Sequence, residues 1–116
     1  MSGLFVGWGE IYPGCEERAL RLFSEVVAYY GKLIEEGRIS GFEPFLLSAH
    51  GGGLRGFMVV RGTPEQLTTV SHEDEFRSQT IRAEMLMKDF GVTELFFGEE
   101  LAHNLELYEH HIGAAA

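Results

Sequence analysis

A single cysteine in 116 residues rules out a disulfide within the chain, so nothing in it calls for an oxidising compartment. Basic residues are scarce as well: nine Lys and Arg stand against eighteen Asp and Glu, a formal charge of −9. Phosphate backbones and anionic membrane surfaces repel such a chain, which argues against nucleic acid and membrane as partners. Long apolar runs are missing; the longest is about five residues, against the ~20 that a membrane span needs. The first residues have neither the basic start nor the apolar stretch of a secretory signal. There is no repeat, linker or low-complexity segment. What remains is a globular composition, 45% apolar and 23% charged, in a length that suits one domain. The expectation is a soluble, cytoplasmic protein.

Leu4 to Gly9 form a short apolar run without helical spacing and read as a strand, broken by Tyr12-Pro13-Gly14. From Cys15 to Glu36, Leu20, Phe23, Val27, Tyr30 and Ile34 fall on one helical face, and Gly37 is placed to stop the helix. Phe42–Ala49 and Leu54–Gly62 are strand-like runs around His50-Gly51-Gly52-Gly53, which reads as a hairpin. Centring the turn on Gly52 pairs Leu47 with Phe57, Phe45 with Val59 and Glu43 with Arg61, an acid beside a base. On the other face it pairs Leu46 with Met58, Pro44 with Val60 and Ser48 with Gly56.

Thr63-Pro64-Glu65-Gln66 is a helix start with cap, proline and capping-box glutamine in place. Ser71-His72-Glu73-Asp74 reads as a second cap. It opens a helix with Phe76, Thr80, Ala83 and Met87 on one face, Ile81 and Met85 beside it, and Gly91 at its end. Val92–Gly98 is the fourth strand. Beyond it, Leu101, Leu105 and Tyr108 have helical spacing, although Leu105–Tyr108 would also suit a strand. The order βαββαβ is the ferredoxin-like α+β plan, a four-stranded antiparallel sheet with helices on one face. The expected domain covers residues 1–98; residues 99–116 form a tail, partly helical or in contact with a second copy.

These strands are apolar on both sides. Phe45 and Leu47 alternate with Pro44 and Leu46, Phe57 and Val59 with Met58 and Val60, Leu95 and Phe97 with Phe96, Val6 and Trp8 with Phe5. A sheet with one wet face alternates apolar with polar residues. The chain has helix enough for one face only. Leaving the other wet forfeits on the order of 10 kcal/mol at ~25 cal/mol per Å², comparable with a domain's whole net stability. A second copy about a twofold axis is the simplest cover, so a homodimer through the sheet face is expected.

Thr63-Pro64-Glu65-Gln66-Leu67 and the segment Ser71 to Phe76, set in the span Leu4 to Gly98, resemble the dimeric α/β-barrel superfamily. It includes antibiotic-biosynthesis-type monooxygenases, haem-degrading monooxygenases and uncharacterised groups. The resemblance implies the ferredoxin-like fold and sheet-to-sheet dimer. In the haem-degrading branch an axial His follows the Phe by one turn and a Trp precedes that His by nearly three. Here Thr80 and Val70 occupy those positions, and Thr carries no imidazole for iron. No cofactor is expected.

A cofactor-free monooxygenase or isomerase of this kind needs a pocket with a few polar groups in apolar walls. Trp8, Tyr12, Arg55 and His72 are the candidate ligand-binding residues, offering stacking, a hydroxyl, a positive charge and an acid/base group. Of these, His72 and Arg55 are the catalytic candidates, a proton exchanger and an anion holder. Each also has a purely structural reading: Trp8 as a core aromatic, His72 as a solvent-facing helix-start residue, Arg55 as a hairpin-closing residue. His50-Gly51-Gly52-Gly53 joins two strands and lacks the lysine of a phosphate loop, so it reads as a turn bordering a ligand site. His103, Glu106 and His110 would share a helical face in a zinc-like set, but solvated surface residues are the simpler reading, and no metal is assigned. Cys15 has no evident base and reads as an ordinary small residue. The leading reading is a binder of a small, partly apolar organic molecule. The rivals are a cofactor-independent enzyme and a non-catalytic interaction module.

Overall fold

The computed structural model describes residues 1–115. Its elements are β1 (Ser2–Trp8), α1 (Glu16–Glu35), β2 (Gly41–Leu46), β3 (Gly56–Gly62), α2 (Pro64–Ser71), α3 (Asp74–Leu86), β4 (Gly91–Leu95) and α4 (Gly98–Ala115). The strands form one antiparallel sheet in the order β2-β3-β1-β4, the ferredoxin-like arrangement in which β3 pairs between β1 and β2. No described helix is long and apolar enough to cross a membrane.

Local chemistry accounts for the element ends. Glu16 and Glu17 occupy the first turn of α1, where the helix dipole favours negative charge. The helix closes in a Schellman motif: Gly37 N–H donates to Ile34 O at 3.0 Å and Arg38 N–H to Leu33 O at 2.9 Å. Gly37 sits at φ 70°, a left-handed conformation that a Cβ would strain. At α2 the capping box is complete, with Gln66 N–H donating to Thr63 Oγ1 at 3.1 Å and Thr63 N–H to Gln66 Oε1 at 2.9 Å.

Several sequence expectations are corrected. The hairpin is shifted by two residues: Phe45 faces Phe57, Glu43 faces Val59 and Pro44 faces Met58. A two-residue slip keeps every side chain on its own side of the sheet, so the facial pattern alone does not detect it. The connection is longer than a tight turn, and His50 organises it: its Nε2 donates to Leu54 O at 2.7 Å and its Nδ1 accepts from Gly52 N–H at 3.3 Å. Glu43 and Arg61 still meet, now diagonally, at 3.5 Å. Ser71 caps nothing; it lies in the last turn of α2, its hydroxyl donating to Thr68 O at 3.0 Å, and Glu73 begins α3. That helix ends at Leu86, before the left-handed Asp89, and Gly91 opens β4 instead.

The buried stripes are also rotated. In α1 it is Ala19, Leu22, Tyr30 and Leu33 that are buried, while Leu20 and Ile34 are exposed. In α3 it is Phe76, Gln79, Ala83 and Leu86, while Ile81 and Met85 face out. Both helices are apolar over a wide arc. Their packing on each other, with Leu22 against Ala83 and Leu86, selects the part that turns inward.

Val6, Trp8, Met58 and Val60 point from the sheet into the helices and meet Tyr30, Leu33, Leu67, Val70 and Phe76. The opposite sheet face carries a row of stacked rings across three strands. Phe57 lies 5.2 Å from Phe5 and 4.9 Å from Phe45, centroid to centroid. Phe97 folds over Gly3, with Arg61 above its ring. Among the described residues, no helix of this chain packs over that row.

Candidate functional site

Between the helical layer and the sheet lies a cavity of about 180 Å³. β1 contributes Val6 and Trp8, β3 Met58 and β2 Leu46. From α1 come Ala19, Leu20, Leu22, Phe23, Val26 and Tyr30, and from α3 Phe76, Gln79, Thr80 and Ala83, with Ile11, Met87 and Phe90 closing one end. Leu20 and Leu46 are 66% and 76% exposed, so they form the rim and the rest the interior. Gly56 keeps the wall thin, because the Trp8 ring and the Phe45 carbonyl occupy the space a Cβ would take. Trp8 meets Phe23 edge-on, with centroids 6.3 Å apart.

The walls contain no carboxylate, imidazole, ammonium or guanidinium. Their polarity comes from Gln79, Thr80, the Trp8 indole and the Tyr30 phenol. Burial pushes the Tyr30 hydroxyl well above its ordinary pKa, so it stays protonated at neutral pH. Thr80 Oγ1 donates to Arg77 O at 2.9 Å. Gln79 is the one buried polar residue of the described core, 6% exposed. Its Nε2 donates to Glu75 Oε1 at 3.3 Å, and a carboxylate can only accept, so the amide orientation is settled. Among the described residues its carboxamide oxygen accepts no hydrogen bond, yet it is not one of the fully enclosed atoms without a partner.

Of the four candidate ligand-binding residues, only Trp8 lines this cavity. Tyr12 is exposed at the turn before α1, where its backbone N–H donates to Leu86 O at 2.9 Å. Arg55 is exposed at the hairpin base, its carbonyl accepting from Leu47 N–H and its N–H donating to Trp8 O, both at 2.9 Å. His72 ends α2, with Nδ1 donating to Thr68 O at 2.8 Å, and borders a separate groove with Ser2, Glu94 and Glu100. The structure does not bring His72 and Arg55 into one pocket.

Phe76, Thr80, Ala83 and Met87, read from the sequence as one helical face, all line the cavity. Gln79 was missed. Its signal was a polar residue three after Phe76 and four before Ala83, where an all-apolar stripe would have no amide. Among the described residues no group of three His, Cys, Asp or Glu side chains is disposed to hold a metal, the His103, Glu106 and His110 set included. Cys15 is buried at the start of α1, accepting from Arg18 Nη2 at 3.1 Å. A scan against protein-family models finds no match for this chain, and a search of curated proteins finds none.

Proposed function

We propose that this chain is a small-molecule-binding module of the dimeric α/β-barrel kind, holding a compact, mainly apolar organic molecule with one hydrogen-bond donor. The observation that carries the reading is the buried side chain of Gln79, an amide among the walls of an otherwise mainly apolar cavity. The volume supports a single-ring ligand. A dry cavity of ~150 Å³ is enough for benzene, and drug-sized ligands need ~300 Å³ or more. Wall chemistry favours binding over catalysis, since no group that titrates near neutral pH faces the space.

The open sheet face supports the dimer. Its ring row is flanked by Val59 and Leu95, and at one margin Glu43 and Arg61 supply charges of both signs. A patch with both signs beside an apolar centre is self-complementary under a twofold axis, whereas a patch of one sign would repel its copy.

Trp8 is the only tryptophan, and it lines the cavity, so its emission reports occupancy. Titration with p-cresol should give a saturable change in that emission and raise the melting temperature. Gln79→Leu should weaken p-cresol about tenfold or more while leaving toluene unaffected, because only the donor loses its partner. Failure of both probes at millimolar concentration to alter emission or melting would refute the proposal.

A further inference from the structure

α4 is helical throughout its described length, yet among the described residues it packs substantially on no other element. Its main tie to the domain is Ser2 Oγ donating to Glu100 Oε1 at 2.7 Å, in its first turn. The radius of gyration, 16.3 Å, exceeds the roughly 13 Å of a compact chain this long, and the longest axis is 52 Å. The helix therefore projects. An isolated helix of this length is marginal in water; packing of an apolar face is what normally holds one.

Such a face is present. Leu101, Leu105, Tyr108 and Ile112 follow one another at intervals of four, three and four residues, within about 60° of arc at 100° per residue. All four are exposed, Tyr108 and Ile112 by 63% and 67%. The stripe these four form, repeating every 3.5 residues, is the seam one helix offers another, and Leu107, also exposed, lies outside it. Charge narrows the partner further. α4 carries Glu99, Glu100, Glu106 and Glu109 and no Lys or Arg, so anionic membranes repel it.

We infer that α4 pairs in parallel with α4 of a second copy, through the Leu101–Leu105–Tyr108–Ile112 seam. With Leu105 and Ile112 as the a positions and Leu101 and Tyr108 as d, Glu99 and Glu106 fall on the outer surface. Asn104 then faces Glu109 of the second copy across the seam, a donor to a carboxylate. An antiparallel pair sets Glu109 against Ala102 instead. Area points the same way. The open sheet face measures roughly 19 Å by 20 Å, about half of the ~800 Å² per partner of a standard interface. A helix some 27 Å long and 10 Å wide supplies much of the remainder. The parallel sense rests on the sheet-to-sheet dimer proposed above, because it puts both domains at the same end of the helix pair.

Sedimentation equilibrium of the full chain tests this, beside a Leu105→Asp/Ile112→Asp variant and a Phe57→Asp variant, with unchanged Trp8 emission confirming that each domain is folded. The expected result is a dimer weakened at least a hundredfold by the α4 substitutions, and a spontaneous intermolecular disulfide in Leu105→Cys. A dimer whose dissociation constant ignores the α4 substitutions overturns the helix pairing and leaves the sheet dimer standing. Association lost in the α4 variant but intact in Phe57→Asp supports the seam and removes the sheet dimer. A full chain that sediments as a single copy at tens of micromolar overturns both.

Discussion

Filling the cavity separates stability from binding in one substitution. Ala83 lies on the inner face of α3 and lines the space. Ala83→Leu adds three carbons, and at ~0.8 kcal/mol per buried methylene it contributes about 2 kcal/mol. Leucine is nearly as good a helix former as alanine, so α3 itself loses little. In a domain of this size that gain raises the melting temperature by about 8 °C. Differential scanning calorimetry without ligand gives the shift, and Trp8 emission during a p-cresol titration gives the affinity. The expected outcome is a more stable protein that no longer binds. A protein destabilised by a kilocalorie or more would show that the walls are already in contact, and the reasoning from volume would fall. One that is stabilised yet binds as before would move the ligand elsewhere.

Three further outcomes follow from the packing. The buried Tyr29 hydroxyl has no hydrogen-bond partner, and burial together with the Glu73 carboxylate pushes its pKa up to about 12. The native state thus prefers the neutral phenol. The stability this contributes is complete below the unfolded value near pH 10 and is lost as pH rises through about 12. Tyr29→Phe should be at least as stable at neutral pH and lose less stability across that window, as urea melts at stepped pH will show. Thr63→Ala removes the oxygen that caps α2 and should cost about 1 kcal/mol, read from the urea midpoint at constant slope. Gly56→Val drives a side chain into the Trp8 ring and the Phe45 carbonyl; it should cost 1–3 kcal/mol or more and shift Trp8 emission, whereas an unchanged spectrum would place that ring elsewhere.

Phe5, Phe45 and Phe57 stack across three strands as a continuous surface rather than as scattered exposed residues. Isolated exposed apolar side chains need no explanation, but a contiguous row on a sheet does.

Much of the fold was legible along the chain because its signals are local. Thr63 through Gln66 can satisfy their own backbone donors, Gly37 can supply a left-handed stop, and Phe45 and Phe57 share a face in both of the registers that differ by two residues. The βαββαβ element order, and with it the ferredoxin-like plan, followed from such signals. Three matters were decided only in the folded chain. The hairpin register was set by a long loop tied through His50, which a two-residue slip leaves invisible to alternation. The inward stripes of α1 and α3 were chosen by contact between those helices, because each is apolar over more arc than it buries. The cavity itself is assembled from five elements: Trp8 lines it, His72, Arg55 and Tyr12 lie elsewhere, and Gln79 comes into its wall from α3. Periodicity records which residues one helix or strand can present together, whereas a cavity is the gap left between several of them, and its walls exist only once their packing does.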